Sequence, residues 1–306
     1  MTGIGRVTLL TNPKAGHGNA PHAAERAVAR FQERGVDVTE IVGRDPAHAR
    51  ELVDTALAHG TDALVVAGGD GVIALALQAL ARRAPAPAGI PLGIIPAGTG
   101  NDHAREYGIP VGDPAAAVDV IIAGHTEIID LGHIRGVDGT ETWFGTIAAT
   151  GFDSLVSDRV NRMRWPHGRM RYNLAIVAEL SKLRLLPFRL VLDGEREIVT
   201  DLTLAAFGNT RSYGGGMLIC PNADHADGLL DITMITSGSR GRLMRLFPTV
   251  FKGTHVDLDE VTTYRARTVT VECPGINAYA DGEYVCPLPV EISAVPGALM
   301  ILRPAP

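Results

Sequence analysis

The chain has 306 residues, of which 46% are hydrophobic and 20% are charged, a composition typical of globular proteins. Its formal net charge of −6 argues against a nucleic-acid-binding protein, because such proteins neutralise phosphates with a basic surface. A P-loop NTPase is also excluded, since none of the three lysines follows the glycine spacing of that motif.

The first 130 residues alternate short apolar runs with helical patterns, which is typical of βα units around a mostly parallel sheet. The predicted strands are 6–11, 36–42, 63–67 and 92–95, and the predicted helices are 21–34, 46–59 and 72–83. We therefore expect an α/β domain with a mostly parallel sheet over 1–130.

The rest of the chain is rich in β patterns separated by turn dipeptides. The predicted strands are 188–192, 202–207, 230–236, 268–273 and 290–294, and two helices are expected at 168–186 and 240–252. This pattern predicts an antiparallel, β-sandwich-like domain with inserted helices over 131–294.

The N-terminus shows no charged leader followed by a long apolar stretch, so we expect a cytoplasmic protein. Three scattered cysteines are too few for a disulfide framework or a zinc knuckle. We expect Cys220, Cys273 and Cys286 to be reduced, packed thiols.

Glycine-rich turns follow three of the predicted parallel strands. Backbone N–H groups at such strand-to-helix turns bind anions, and a carboxylate in the turn can hold Mg²⁺ or its waters. Neither Gly-x-Gly pair has the third glycine of a dinucleotide fingerprint, so the convergence of three turns at one sheet edge predicts a polyphosphate site. The turns contain Asn12, Pro13, Lys14, Ala15 and Gly16 in the first, Gly68, Gly69, Asp70 and Gly71 in the second, and Gly98, Thr99, Gly100, Asn101 and Asp102 in the third.

Two identical tripeptides, Asp193-Gly194-Glu195 and Asp281-Gly282-Glu283, each lie between β-like runs. A hairpin turn explains either one, and a carboxylate in either could accept a proton from a substrate hydroxyl. The sequence alone does not indicate which of the two tripeptides contains a catalytic carboxylate.

The loop 223–229 contains Asp224 and Asp227, which are hard oxygen ligands. A hydrated Mg²⁺ needs few protein ligands, whereas a solvated turn is the alternative interpretation.

Two stretches are basic and partly apolar. Residues 159–171 hold five arginines, Trp165 and no acid, and residues 240–252 hold apolar side chains at helical spacing between cations. A solvated basic surface and a core-facing helix are the alternatives. Our hypothesis is that 159–171 contacts an anionic membrane surface.

The motifs taken together carry a family resemblance. The three turns occur in the order Asn-Pro-x-Ala-Gly, Gly-Gly-Asp-Gly and Gly-Thr-Gly-Asn-Asp, and further matches lie at 213–216, 221–223, 227–231 and 281–283. The chain thus resembles the diacylglycerol/sphingosine kinase catalytic domain family over essentially its whole length, in particular the soluble mycobacterial-type diacylglycerol kinases.

The resemblance implies that the domain 1–130, rejoined by the C-terminal segment 295–306, binds the nucleotide in a cleft between the two domains, and that 131–294 carries the lipid side. It implies ATP and Mg²⁺ as cofactors and transfer of a phosphoryl group to diacylglycerol, giving phosphatidic acid. A sphingoid base, ceramide or another lipid alcohol is the nearest alternative substrate. The enzyme would be cytoplasmic and peripherally associated with the inner face of the cell membrane. The oligomeric state is not determined by the sequence, and a homodimer is one alternative. By position in the family pattern, the nucleotide would contact Asn12, Gly16, Gly68 to Gly71 and Thr99, and Glu283 would lie near it. Asp281 would be the general base. A non-catalytic Mg²⁺ would bind Asp227 and groups at Asp224 and Leu229.

The chain departs from the family pattern just after the second turn. The family commonly has Thr and an Asn-Glu pair where this chain has Val72, Ala74 and Leu75. The chain therefore lacks a hydroxyl and a carboxylate that the family has at these positions. For this reason, a regulator that binds nucleotide without catalysing phosphoryl transfer is an alternative function. The NAD kinase or phosphofructokinase type shares the Gly-Gly-Asp-Gly turn but acts on soluble substrates, and the 213–231 pattern favours the lipid kinases.

Overall fold

The computed structural model describes residues 3–11, 19–82, 89–163, 165, 174–175, 178–179 and 181–306. The chain divides into two compact units. Unit 1 consists of residues 1–131, 214–216 and 295–306, and unit 2 consists of residues 132–213 and 217–294. Unit 1 therefore includes three glycines from the second half of the sequence.

Unit 1 is an α/β unit built on a parallel sheet. Its strands follow the order β2-β1-β3-β4, and the end of β16 pairs in parallel with β4. Every residue of β3 is buried, as expected for a parallel strand covered by helices on both faces. The elements in chain order are β1 (Arg6–Thr11), α1 (Asn19–Glu33), β2 (Asp37–Val42), α2 (Pro46–His59), β3 (Ala63–Gly68), α3 (Asp70–Ala81), β4 (Leu92–Pro96), α4 (Asp102–Glu106) and α5 (Pro114–Ala123), followed by β5 (Thr126–Gly136) and, at the end of the chain, β16 (Val290–Leu302), which both continue into unit 2.

Local sequence signals set the ends of two of these helices. Asp45 caps α2 by accepting a hydrogen bond from the His48 N–H at 2.9 Å, and Pro46 follows it as the first helical residue. Asp113 caps α5 in the same way, with Pro114 next. Aspartate as the cap followed by proline is a favoured helix start, because the side chain satisfies a free N–H and proline needs none.

Unit 2 contains two antiparallel sheets. One has the order β12-β11-β10-β7-β14-β15. The other has the order β16-β13-β8-β9, in which the start of β16 pairs with β13. The elements are β6 (Glu141–Phe144), β7 (Ile147–Gly151), α6 (Phe152–Arg162), β8 (Leu186–Leu192), β9 (Arg196–Leu202), β10 (Leu204–Gly208), β11 (Leu230–Ile235), α7 (Arg240–Val250), β12 (Val261–Ala266), β13 (Thr268–Glu272), β14 (Asn277–Ala280) and β15 (Glu283–Pro287).

The two sheets of unit 2 share one hydrophobic core. Phe188 and Val269 come from one sheet and Phe207 and Ile232 from the other, and all four side chains are at most 1% exposed. In β8 buried and exposed residues alternate, as they do in a strand with one face on the core. This arrangement confirms the predicted fold class, a mostly parallel α/β unit and an antiparallel, sandwich-like unit.

Most predicted elements are confirmed to within a few residues, and the differences are local. The helix predicted over 168–186 lies largely outside the described residues, and its last residue, Leu186, begins β8. The strand predicted over 202–207 is the end of β9 plus β10, which Thr203 separates. Helix α6 was missed because its polar residues break the apolar pattern.

The cysteines are free and buried, as expected. Burial raises the pKa of Cys220 to about 12 and that of Cys273 to about 11, so both stay protonated thiols at neutral pH. In the part of the chain that the structure describes, no helix is long and apolar enough to cross a membrane.

We expect Gly132→Ala to destabilise unit 2. A Cβ atom at Gly132 would lie 2.0 Å from Cζ of Phe144, a ring that is fully buried and cannot move aside. Overpacking of this kind costs about 1–3 kcal/mol of the free energy of unfolding. Urea denaturation measures it, with Gly3→Ala as the control because a Cβ there meets nothing within 4 Å. Equal stability of the two variants would contradict this packing.

Candidate functional site

The ends of three neighbouring parallel strands define the candidate site in unit 1. The strand register pairs Thr11 of β1 with Ala67 of β3, and Gly68 of β3 with Pro96 of β4. The strands therefore end side by side, and the glycine turns that follow them start at one edge of the sheet. The first turn, with Asn12, Pro13, Lys14, Ala15 and Gly16, lies outside the described residues.

The second and third glycine turns are in direct contact. A Cβ atom on Gly98 would lie 2.4 Å from Cα of Gly69, and one on Gly69 would lie 3.0 Å from Cα of Gly98. Only glycine permits backbones to approach this closely, so both residues are required for the contact. Gly71 and Thr99, at the outer parts of these turns, are exposed.

Asn101 fixes the shape of the third turn. Its Oδ1 accepts a hydrogen bond from the Gly98 N–H at 2.9 Å, and its Nδ2 donates to the Gly98 carbonyl at 3.0 Å. Asn101 itself has a φ of 56°, a left-handed conformation that Asn adopts more readily than most residues. The amide side chain thus closes the turn on itself.

Asp70 is in the first turn of α3, and the third turn surrounds its carboxylate. Its Oδ1 accepts a hydrogen bond from the His103 N–H at 3.3 Å, and Nδ1 of His103 is 3.1 Å from the same oxygen. On the other side, a Cβ at Gly100 would lie 2.6 Å from Oδ2, so a side chain there would displace the carboxylate from this position. The carboxylate is therefore held in one orientation.

Two opposing effects set the charge of Asp70. Burial raises its pKa, but the hydrogen bonds and the charge of His103, together with the backbone N–H of Asn101, lower the pKa to a net value below the usual range. Asp70 is consequently ionised at neutral pH. An anionic carboxylate beside exposed backbone N–H groups is suited to a metal-bound polyphosphate.

A second carboxylate, Asp102, binds a distant part of the sequence within unit 1. It accepts hydrogen bonds from the N–H groups of Gly215 and Gly216, each at 2.8 Å, and Nη1 of Arg105 lies 3.2 Å from it. Gly214, Gly215 and Gly216 all have positive φ values, of 60°, 87° and 102°. Because non-glycine residues rarely adopt such angles, the sequence Gly-Gly-Gly is needed for this loop.

A pocket of about 360 Å³ adjoins the third turn in unit 1. Gly98 and Asn101 line one side of it, and His22 and Arg26 of α1 line another. With these basic side chains and polar backbone, the pocket suits an anionic ligand.

In unit 2, the two Asp-Gly-Glu turns have the same local structure. Asp281 accepts hydrogen bonds from the N–H groups of Gly145 and Thr146, at 2.9 and 2.8 Å, and from the Thr146 hydroxyl at 2.6 Å. Asp193 accepts from the N–H groups of Arg267 and Thr268, at 2.9 and 2.8 Å, and from the Thr268 hydroxyl at 3.3 Å. Both aspartates have left-handed φ values, of 48° and 52°. Each turn therefore holds a neighbouring strand end with its carboxylate.

Glu283 follows Asp281 at the start of β15. Desolvation by the surrounding protein raises the pKa of its carboxyl group, although the residue as a whole is exposed. Glu195, the corresponding residue of the other turn, is also exposed to solvent. The two tripeptides are alike in backbone conformation.

The predicted metal loop is partly neutralised by an arginine. Oδ1 of Asp227 accepts a hydrogen bond from the Leu229 N–H at 3.0 Å, and Arg265 contacts both the Asp227 and Asp231 carboxylates. Burial and the negative charge of Asp224 nevertheless raise the pKa of Asp231 to about 6. Among the described residues no group of three or more His, Cys, Asp or Glu side chains is arranged to hold a metal ion. Asp224, Asp227 and Leu229 therefore remain a predicted Mg²⁺ site.

Two titratable residues with defined hydrogen-bond partners were not predicted from the sequence. His103 follows the third motif directly, but nothing in the sequence shows that its ring reaches Asp70, 33 residues earlier. Asp153 contacts the hydroxyl of Tyr213 in unit 2, and burial raises its pKa despite that hydrogen bond. Its position in the first turn of α6 was the one available signal, and α6 itself was not predicted.

Comparison with known proteins supports the same interpretation. Residues 6–134 match the diacylglycerol kinase catalytic domain, and residues 146–303 match the YegS C-terminal NAD kinase beta sandwich-like domain. A solved structure of a diacylglycerol kinase from Bacillus anthracis str. Sterne has the same fold, with a TM-score of 0.72, 19% sequence identity and coverage of 99% of this chain and 98% of that one.

Two curated relatives are similar over nearly their full length. The diacylglycerol kinase of Mycobacterium tuberculosis (strain CDC 1551 / Oshkosh) is 68% identical over 301 residues, covering 98% of this chain and 96% of the relative. The diacylglycerol kinase of Bacillus subtilis (strain 168) is 26% identical over 288 residues, covering 94% and 92%. The family model and these relatives together identify a lipid kinase. The chain belongs to the diacylglycerol kinase catalytic domain family, as the resemblance indicated.

We expect Gly98→Ala to disrupt the second and third turns together. The new Cβ would collide with the backbone of Gly69 at 2.4 Å and approach Oδ1 of Asn101 at 3.0 Å. Because backbone cannot move aside as a side-chain end can, the predicted polyphosphate site should lose its shape and its affinity for ATP. Isothermal titration calorimetry measures that affinity, with Gly89→Ala as the control since a Cβ there meets nothing within 4 Å. ATP binding that is equal in both variants would show that the contact is dispensable.

We expect His103→Phe to raise the pKa of Asp70. The carboxylate stays buried in this variant, but it loses the imidazole hydrogen bond and charge that lower its pKa. His103→Asn is the matched control, because its Nδ2 can replace Nδ1 as a donor. Carboxyl carbon chemical shifts followed by NMR against pH give the Asp70 pKa in all three proteins, and the same value in wild type and His103→Phe would refute the assignment.

Proposed function

We propose that this protein is an ATP- and Mg²⁺-dependent diacylglycerol kinase that makes phosphatidic acid. The observation that carries the proposal is the ionised Asp70 carboxylate, which the contacting glycine turns hold beside their backbone N–H groups. Phosphoryl transfer depends on positioning and charge neutralisation more than on covalent chemistry, and such a site provides both. The name of the mycobacterial relative supports diacylglycerol as the substrate.

The glycine turns fit the polyphosphate of ATP. Gly71 is exposed and has no side chain to stand between its backbone and a ligand, so a phosphate oxygen can approach the backbone closely there. Thr99 is exposed in the third turn and can donate its hydroxyl to a phosphate. Lys14 and the other residues of the first turn are further contacts of the polyphosphate that the sequence predicts.

Carboxylates at two places fit Mg²⁺. Asp70 is anionic and fixed, so it would hold the ion that accompanies the nucleotide. In unit 2 Arg265 contacts the Asp227 and Asp231 carboxylates, and burial, followed by the negative charge of Asp224, raises the pKa of Asp231 to about 6. A divalent cation at Asp224 and Asp227 would offset negative charge in this loop. When bound, Mg²⁺ neutralises charge on the phosphate oxygens.

Asp281 is the proposed general base. Three hydrogen bonds from Gly145 and Thr146 fix its carboxylate, and a carboxylate has about four lone-pair positions, so it can still accept a proton. Its role would be to take the proton of the diacylglycerol hydroxyl as the phosphoryl group is transferred. Glu283, beside it, would lie near the nucleotide by the family pattern.

One observation favours a nucleotide-binding protein without turnover. Val72 is 8% exposed and its Cγ2 would be 3.1 Å from a Cβ on Gly68, so this position packs against the turn and offers no hydroxyl. The phosphorylation assay described next also tests this second candidate function.

The test compares Asp281→Asn with Asp193→Asn, because the two aspartates occupy equivalent turns. Wild type incubated with labelled ATP, Mg²⁺ and mixed-lipid vesicles should produce labelled phosphatidic acid. Loss of a general base should lower the rate by about 10²–10⁴-fold in Asp281→Asn, while Asp193→Asn should keep the wild-type rate. Melting temperatures of both variants separate a chemical loss from unfolding.

Each outcome is informative. Equal rates in the two variants would remove Asp281 as the base, and phosphorylation of a sphingoid base or ceramide in place of diacylglycerol would change the substrate. Nucleotide binding by wild type without any phospholipid product would support the regulator.

A further inference from the structure

Helix α7 has two different apolar faces. Leu243, Leu246 and Val250 are buried, between 4% and 8% exposed, and pack in a core cluster of unit 2. The sequence left open whether the apolar residues of 240–252 face the core or a membrane, and the structure divides them: Phe247 and Phe251 do not join the buried residues. Both aromatic side chains are exposed.

The exposed apolar residues form a stripe, which we call the α7 stripe: Met244, Phe247 and Phe251. They are 60%, 46% and 47% exposed, at helical spacings of three and four residues. The two phenyl rings pack edge to face, with centroids 5.6 Å apart, so they form one continuous apolar patch. Adjacent, half-exposed aromatic side chains of this kind are suited to contact with an apolar partner surface.

Cations frame the α7 stripe. Residues 240–252 include Arg240, Arg242, Arg245 and Lys252, all exposed, and no acid, in a chain whose net charge is −6. Glu260 lies 3.5 Å from Arg242 and Arg240 donates to the Ser181 carbonyl, so these two are partly engaged within unit 2. Arg245 and Lys252 lie on the side of the helix away from the buried residues, beside the stripe.

We propose that the α7 stripe and its flanking cations dock the protein on an anionic lipid bilayer. Apolar side chains between exposed cations match both components of such a surface, the acyl boundary and the negative headgroups. The proposal rests on the proposed function in one respect, because diacylglycerol resides in a bilayer. It places the membrane contact on α7, whereas the segment 159–171 suggested by the sequence lies mostly outside the described residues.

Two double variants test the surface. Phe247→Ser with Phe251→Ser removes the aromatic part, and Arg245→Glu with Lys252→Glu reverses the charge. Their matched controls are Val137→Ser with Val199→Ser, which are 80% and 72% exposed, and Arg50→Glu with Arg82→Glu, which are also exposed. Each control makes the same chemical change at a distance from α7 in the sequence.

Binding is measured by flotation with phosphatidylcholine vesicles that contain or lack phosphatidylglycerol, without ATP or diacylglycerol. Each cation near an anionic surface contributes about fivefold to binding, so the charge reversal should weaken binding to the anionic vesicles by at least roughly 25-fold. The aromatic double variant should lose binding as well, and the controls should bind like wild type. Equal binding by all five proteins would overturn the proposal. A dimeric wild type that the aromatic variant converts to a monomer, with vesicle binding unchanged, would assign the stripe to a second copy of the chain instead.

A kinase assay separates this proposal from the proposed function. The α7 variants should phosphorylate a short-chain, water-soluble diacylglycerol at the wild-type rate and lose activity on diacylglycerol in vesicles. If wild type binds anionic vesicles through α7 but phosphorylates no diacylglycerol, the proposed function fails and the docking surface stands.

Discussion

The candidate nucleotide site depends on the contact between Gly69 and Gly98. A single added methyl group on Gly98 would lie 2.4 Å from the neighbouring backbone, so the second and third turns can meet only without side chains. That contact brings Gly100 and His103 to the Asp70 carboxylate, which is thereby oriented and kept ionised. A site for phosphoryl transfer needs fixed charges more than reactive groups, and close backbone packing provides the fixation.

Aspartate carboxylates that accept backbone N–H groups recur throughout both units. Asp102 holds the Gly215 and Gly216 turn, and Asp193 and Asp281 each hold a strand end through two N–H groups and a threonine hydroxyl. Charge-assisted hydrogen bonds of this kind are stronger than neutral ones and tie together loops that have little apolar surface. The same arrangement therefore serves structure at Asp193 and is available to chemistry at Asp281, so a fixed carboxylate is by itself no proof of catalysis.

Helix α7 shows how one amphipathic helix can carry two functions. Three aliphatic residues pack into unit 2, while the neighbouring aromatic stripe stays exposed between cations. Burying the aromatic side chains on folding would have stabilised the protein, since each could remove a large apolar area from water. Their exposure is understandable if a lipid surface covers them.

The sequence by itself determined the order of strands and helices from β1 to β4 in unit 1, the glycine turns at the strand ends and the β-rich nature of unit 2. These features depend on local patterns, namely hydrophobic periodicity, capping aspartates and turn glycines, which act over a few residues. Only the tertiary structure decided that Gly69 meets Gly98, that His103 reaches Asp70, and that Asp102 binds glycines more than a hundred residues away. It also split the apolar residues of α7 into a buried and an exposed face. Contacts of this kind depend on how sheets and helices pack, and no residue's own preferences encode them.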